Sequence, residues 1–276
     1  METDTIIYFH PTQGQMHKNT AAKKHWWQDA ALREEKLGLE KTGGFFLSVD
    51  CAIPPYYYKK KPWTGELLSA AMEEVVHRAD GMADAFLHPD IMTYMSEKFR
   101  ERWEMRRDTF ERLSACLLAA CASGPLHEKG RVAVLLGKPE ETDWQMELTQ
   151  NLLLPYLSRI NSLLFYYEEV AGTDIWEEMA AYLETYDYEY GLVPAMHPYS
   201  TGEEGLCCGR ERCSGVILDF AHTARHPRLE REDGTVYVDL TSDRERERSC
   251  MRKNGHVLYV SPLKYLDTIV KTGYDR

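Results

Sequence analysis

The chain has 276 residues, 43% of them hydrophobic and 28% charged, with a formal charge of −11 at pH 7. That length buries a full core, either as one large domain or as a core domain with a substantial N-terminal addition. The negative charge repels phosphate backbones at long range and argues against nonspecific nucleic-acid binding, and no apolar run reaches the roughly 18 residues of a membrane span.

The first ten residues carry neither a basic region nor a long apolar stretch with a small-residue cleavage site, so no secretory signal is expected and the expected location is cytoplasmic. Seven cysteines, an odd count in a chain too long to need disulfide staples, fit a reducing compartment. Cys116 and Cys121 fall within an apolar helical pattern and read as core residues.

In chain order, residues 5–9 and 45–49 read as short strands that either pair with each other or join the edge of a larger sheet. Between them lies a polar, helix-capable stretch with Lys23, Lys24 and the Trp26-Trp27 pair. Residues 54–63 combine prolines, three tyrosines and three lysines and cannot form regular helix. Cations beside aromatics can stack on single-stranded bases, but in so acidic a chain the segment reads as an extended connection with packed tyrosines and solvated lysines. From Thr64 the spacing predicts a helix to residue 79, with Leu67, Leu68, Ala71, Met72, Val75 and Val76 on one stripe. A longer helix is predicted over 89–123, its apolar face running from Met92 through Phe99, Trp103 and Leu113 to Cys121.

After residue 125 the pattern alternates. Strands are expected at 131–137, 162–168, 190–196, 216–221, 235–240 and 256–260, with helices from Glu140, Asp174, Asp243 and Pro262. Residues 228–232 resemble a hairpin arm leading into the fifth strand. Strands alternating with helices of this length predict an α/β fold: a Rossmann-like, three-layer, mostly parallel sheet over 126–276, behind a largely helical N-terminal part over 1–125 with one or two short strands.

Ligands of open α/β sheets bind beyond the carboxyl ends of the strands, so polar residues late in a strand are the candidates. Glu168, Asp219, Asp239 and Asp243 qualify as catalytic residues, with Glu169 beside them. Carboxylates converging from separate strands hold Mg²⁺ or Mn²⁺, as a phosphoester hydrolase requires, although acids so placed also cap helices and pair with arginines. Asp219-Phe-Ala-His-Thr223 resembles the first motif of haloacid dehalogenase-like phosphatases, which would make Asp219 a nucleophile. The resemblance covers five positions, Ala221 stands where that motif has its second aspartate, and only about fifty residues follow, too few for the rest of such a core in its usual order.

Cys208, Cys213, His222 and His226 have residue types and outer spacings suited to tetrahedral zinc, with Cys207 and His197 in reserve. A strand between the cysteines and histidines would carry them to opposite ends, so that set requires a loop there instead. No glycine-rich phosphate loop or nucleophile elbow is present, so neither an NAD nor an ATP signature is found. His10, His17 and His25 read as surface histidines. With the standard catalytic motifs missing, the leading expectation is a binding or scaffold protein whose partner is an unspecified small molecule or protein. A Mg²⁺- or Mn²⁺-dependent hydrolase is the alternative, and a zinc-stabilised protein comes third.

Overall fold

The computed structural model describes residues 5–11, 33–38, 45–51, 63–78, 84–93, 95–121, 130–168, 182–184, 186, 191–199, 212–213, 215–221, 230–231, 234–241 and 258–274. The chain divides into two compact units, residues 1–110 with 272–276, and residues 111–271.

The first unit contains a four-stranded sheet of β1 (Thr5–Pro11), β2 (Arg33–Gly38), β3 (Phe45–Cys51) and β4 (Asp84–Leu87), in the order β2-β3-β1-β4. β1 lies parallel to both β3 and β4, and β2 pairs antiparallel with β3. The two N-terminal strands read from the sequence therefore pair with each other. One sheet face supplies Ile7, Phe9, Cys51 and Leu87, which pack on Leu68, Met72 and Val75 of helix α1 (Trp63–Arg78) and on Ile91, Met95 and Trp103. The spacing of Leu68, Met72 and Val75, three and four apart, gives α1 its buried stripe. Trp103 stands edge-on to Phe9 at 5.9 Å, and its indole N–H donates to Ser69 Oγ at 3.1 Å.

The single helix expected over 89–123 is three: α2 (Pro89–Met92), α3 (Glu97–Trp103) and α4 (Arg107–Cys121). Glu104 adopts extended dihedrals and ends α3, and beyond it Asp84 accepts from Arg106 Nη1 at 2.8 Å and from the Thr109 hydroxyl at 2.9 Å. These contacts tie the start of α4 to the start of β4, and the chain turns between two helices whose apolar positions continue one stripe in sequence.

Among the described residues, the second unit contains a six-stranded, wholly parallel sheet. Its strands are β5 (Gly130–Leu135), β6 (Ile160–Glu168), β7 (Ala195–Tyr199), β9 (Gly215–Asp219), β11 (Val236–Asp239) and β12 (Leu258–Val260), ordered β12-β11-β9-β5-β6-β7. All five pairings are parallel. This is the Rossmann-like arrangement that the alternating pattern predicts. One face carries Ala133, Leu135, Leu164, Tyr166, Ile217, Tyr237 and Tyr259 in a single cluster. The residues between them, among them Val132, Val134, Phe165, Val216, Leu218 and Val238, are buried too. Burial on both faces is why these strands read as unbroken apolar runs.

Gly215 opens β9 at φ +143°, where an added Cβ would fall 2.0 Å from the Arg131 carbonyl oxygen, so only glycine fits. After β5 a 3-10 turn (Pro139–Glu141) leads into α5 (Thr142–Leu153), where Trp144 stands edge-on to Phe220 at 5.8 Å and donates to Glu111 Oε1 at 2.7 Å. Helix α6 (Pro262–Tyr274) follows β12, with Ser261 Oγ accepting the Lys264 N–H at 3.2 Å and proline at its first position.

Two details differ from the sequence reading. The third strand lies at 195–199 rather than 190–196, because Gly191 takes φ +61° and the Leu192 N–H turns back to the Tyr186 carbonyl at 3.1 Å. The arm at 228–232 contributes a two-residue strand, β10 (Glu230–Arg231), which pairs parallel with β8 (Arg212–Cys213) rather than forming a hairpin with β11. Of the helix expected from Asp174, residues 182–184 and 186 are described and are helical, and the helix expected from Asp243 falls outside the described residues. No helix among the described residues is long and apolar enough to cross a membrane.

Candidate functional site

From β5 the chain builds the sheet outward one way through β6 and β7, and then the other way through β9, β11 and β12. The order reverses between β5 and β9, the switch point at which open α/β sheets form a crevice. The Phe220 N–H donates to the Leu135 carbonyl at 2.8 Å, carrying the pairing one residue past the end of β9. An added Cβ on Gly137 would lie 2.3 Å from the Phe220 carbonyl oxygen, so the two backbone segments approach too closely here for a side chain at 137.

Gln145, one turn into α5 and fully buried, holds this turn by accepting the Gly137 N–H at Oε1, 2.8 Å away. Among the described residues its Nε2 has no hydrogen-bond partner, and neither has the hydroxyl of Thr149 one turn further along the same helix. A buried amide donor without an acceptor costs about 1–3 kcal/mol, which makes this turn an unusual place to leave one.

Asp219 and Asp239 stand in register on neighbouring strands, both fully buried. Asp219 Oδ1 accepts the Ala221 N–H at 2.8 Å, and Oδ2 accepts the Tyr237 hydroxyl. Asp239 repeats the arrangement one strand outward. Its Oδ1 accepts from the Thr241 N–H at 2.8 Å and the Thr241 hydroxyl at 2.5 Å, and its Oδ2 accepts the Tyr259 hydroxyl. In each case the tyrosine comes from the next strand and lies two residues before the level of the acid, so it leans along the strand to reach it. The two tyrosine rings stack at 5.5 Å, and Lys264 Nζ lies 5.5 Å from the Tyr259 ring centre. Both carboxylates thus have each oxygen engaged by protein donors. They hold the turns that leave β9 and β11 in place.

Of the other sequence candidates, Glu168 closes β6, with β5 between it and β9 and two positions beyond the level of Asp219. Cys213 closes β8, and the five residues of β9 follow it before position 222. Asp243, Glu169, Cys207, Cys208, His222 and His226 lie outside the described residues. His197 stacks on Tyr166 at 5.4 Å within the sheet. Among the described residues no group of three or more histidines, cysteines or acids is placed to hold a metal ion.

No family model, curated protein or solved structure matches the chain.

Two histidines stand out in the first unit, one that the sequence reading placed on the surface and one that it passed over. His10, read as a surface histidine, is buried at the carboxyl end of β1, and His88 is buried just past the end of β4. A signal for them does exist in the sequence: both are followed by proline, Pro11 and Pro89, which cannot donate to a ladder and so stops a strand.

Proposed function

We propose that the protein is a small-molecule-binding protein on a Rossmann-like framework, taking its ligand in the crevice between the carboxyl ends of β5 and β9. The observation that carries this reading is the buried, unpartnered Nε2 of Gln145 at the first strand-to-helix turn of the switch point. A ligand oxygen reaching that donor would recover the free energy that the empty arrangement forgoes. The ligand is expected to carry an oxygen acceptor, because the group awaiting it donates.

A second reading, a Mg²⁺- or Mn²⁺-dependent phosphoester hydrolase, draws support from Asp219 and Asp239 standing in register beside the switch point. Against it, a metal would have to share or displace the tyrosine hydroxyls that both carboxylates already accept.

A melting-temperature screen of nucleotides, sugar phosphates and carboxylic acids, with and without Mn²⁺, separates the two, since a ligand that prefers the folded state raises apparent stability. A ligand that stabilises the wild type but not Gln145→Met supports the crevice. Stabilisation by Mn²⁺ alone that disappears in Asp219→Asn moves the assignment to the hydrolase. If no compound shifts the wild type, the crevice reading fails.

A further inference from the structure

We infer that the group the crevice takes at this turn is an uncharged amide, either a carboxamide or the lactam edge of a ring, and that phosphates and carboxylates are turned away from it. The inference rests on the crevice reading and names the chemistry of its occupant. If the ligand is a nucleotide, its base enters here and its phosphate stays outside.

A donor and an acceptor that select an amide stand side by side. An added Cβ on Gly137 would lie 2.3 Å from the Phe220 carbonyl oxygen and 3.0 Å from Gln145 Nε2, so both atoms flank the same side of that glycine. Nε2 is an amide donor without a hydrogen-bond partner among the described residues, on a fully buried side chain. The Phe220 carbonyl only accepts. An amide complements the pair, because its oxygen accepts from Nε2 while its own N–H donates to the carbonyl. A carboxylate offers no proton and would set a charged oxygen against the carbonyl, and a phosphate dianion fails in the same way.

The start of α5 points the same way. A helix N-terminus by itself favours an anion, by about 0.3–1 kcal/mol. Here that preference is already met by the chain's own acids. Glu140 and Glu141 lie in the 3-10 turn before α5 and Asp143 in its first turn, with Lys138 the single cation in residues 137–143. The Gly137 N–H, the backbone donor that a phosphate would use where the strand ends, is held instead by Gln145 Oε1 at 2.8 Å. Charge and hydrogen bonding thus both oppose an anion at the turn, while the one donor left over suits a neutral oxygen.

Benzamide, benzoate and phenyl phosphate share a ring and differ in the group under test. In the full chain labelled with ¹⁵N at glutamine and glycine, the Gln145 side-chain NH₂ and the Gly137 backbone N–H report on them, the first assigned by its loss in Gln145→Met. Millimolar benzamide should shift both wild-type signals, and the two anions should leave them in place. N,N-Dimethylbenzamide, which keeps the oxygen and lacks the N–H, should bind about tenfold more weakly than benzamide, as should benzamide to Gln145→Met. The wild-type comparison needs no variant to fold. Shifts with benzoate or phenyl phosphate as large as those with benzamide, or equal binding of the dimethyl compound, would overturn the amide assignment and leave the crevice reading standing. If neither signal moves with any of the four while a compound in the melting screen stabilises the protein, the amide assignment alone falls. If the screen is silent as well, the crevice reading falls with it.

Discussion

The Tyr237 hydroxyl donates to Oδ2 of Asp219 across the pairing of β9 with β11, and one strand further out Tyr259 does the same for Asp239. The parallel register makes this repetition possible: each tyrosine sits two residues below its acid, on the same sheet face, within one side-chain length of it.

Replacing either tyrosine by phenylalanine removes a buried donor to a carboxylate while keeping the ring. Each change should destabilise the second unit by about 1.5–3 kcal/mol, the range for hydrogen bonds to charged groups. Because the rings stack, the double variant Tyr237→Phe/Tyr259→Phe should depart from additivity. Urea denaturation of the four proteins measures both effects, and single variants as stable as the wild type would remove the structural role assigned to the pairs.

Glycines 137 and 215 are fixed by close approach. An added Cβ meets the Phe220 carbonyl at the first and the Arg131 carbonyl at the second, and both obstacles are backbone. Gly137→Ala and Gly215→Ala should each cost more than about 1–3 kcal/mol, the usual range for overpacking, because no side chain can swing aside. Gly234→Ala is the control. Its Cβ would enter open space, so only the strain of φ +87° remains, about 1–2 kcal/mol. If all three substitutions cost the same, the close approach at the switch point is not what fixes Gly137.

Burial raises the pKa of the Cys121 thiol above its ordinary value of 9.0, and Cys51 and Cys116 are more deeply buried still. The thiolate is the reactive form, so native protein treated with iodoacetamide at neutral pH should be alkylated at these three positions far more slowly than unfolded protein. The linkage has a definite sign. Well below pH 9.0 Cys121 is protonated in both states and contributes no pH dependence; as pH rises through it the unfolded state ionises first, and stability should fall. Peptide mass spectrometry of the alkylated protein checks the first expectation, and melting temperature followed across that range checks the second.

The parallel sheet was legible in the sequence because its strands are buried on both faces and so read as short apolar runs bounded by turn residues, as at 131–137 and 216–221. β4 was not legible: Asp84-Ala-Phe-Leu87 is four residues long and lies between helical patterns. The breaks after α2 and α3 were hidden for a related reason. The one after α3 goes with Asp84 holding Arg106 and Thr109, partners 22 and 25 residues away, and periodicity reports only near neighbours. At the candidate site, Asp219 and Asp239 were visible as acids late in apolar runs. Their engagement by Tyr237 and Tyr259 was not, since it follows from strand order and register. His10 and His88 are 78 positions apart in the chain and become a pair only once β1 and β4 are neighbours.

The Thr149 hydroxyl is buried in α5 without a hydrogen-bond partner, one turn beyond Gln145. Valine has nearly the same shape and a similar helix propensity, so Thr149→Val removes a desolvated polar group and leaves the packing otherwise unchanged. The substitution should therefore stabilise the protein by about 1 kcal/mol, raising the melting temperature by roughly 2–4 °C. Most substitutions of a buried residue destabilise, which makes the sign itself informative. A lowered melting temperature would mean that the hydroxyl has a partner in solution, such as an internal water shared with Gln145 Nε2. The spacing allows this, because side chains four apart on a helix lie about 5–6 Å from one another, a span that a single water bridges. Gln145→Met combined with Thr149→Val then decides between the two. Independent orphaned groups should give additive effects, whereas a shared water should make the second substitution much less costly once the first has been made.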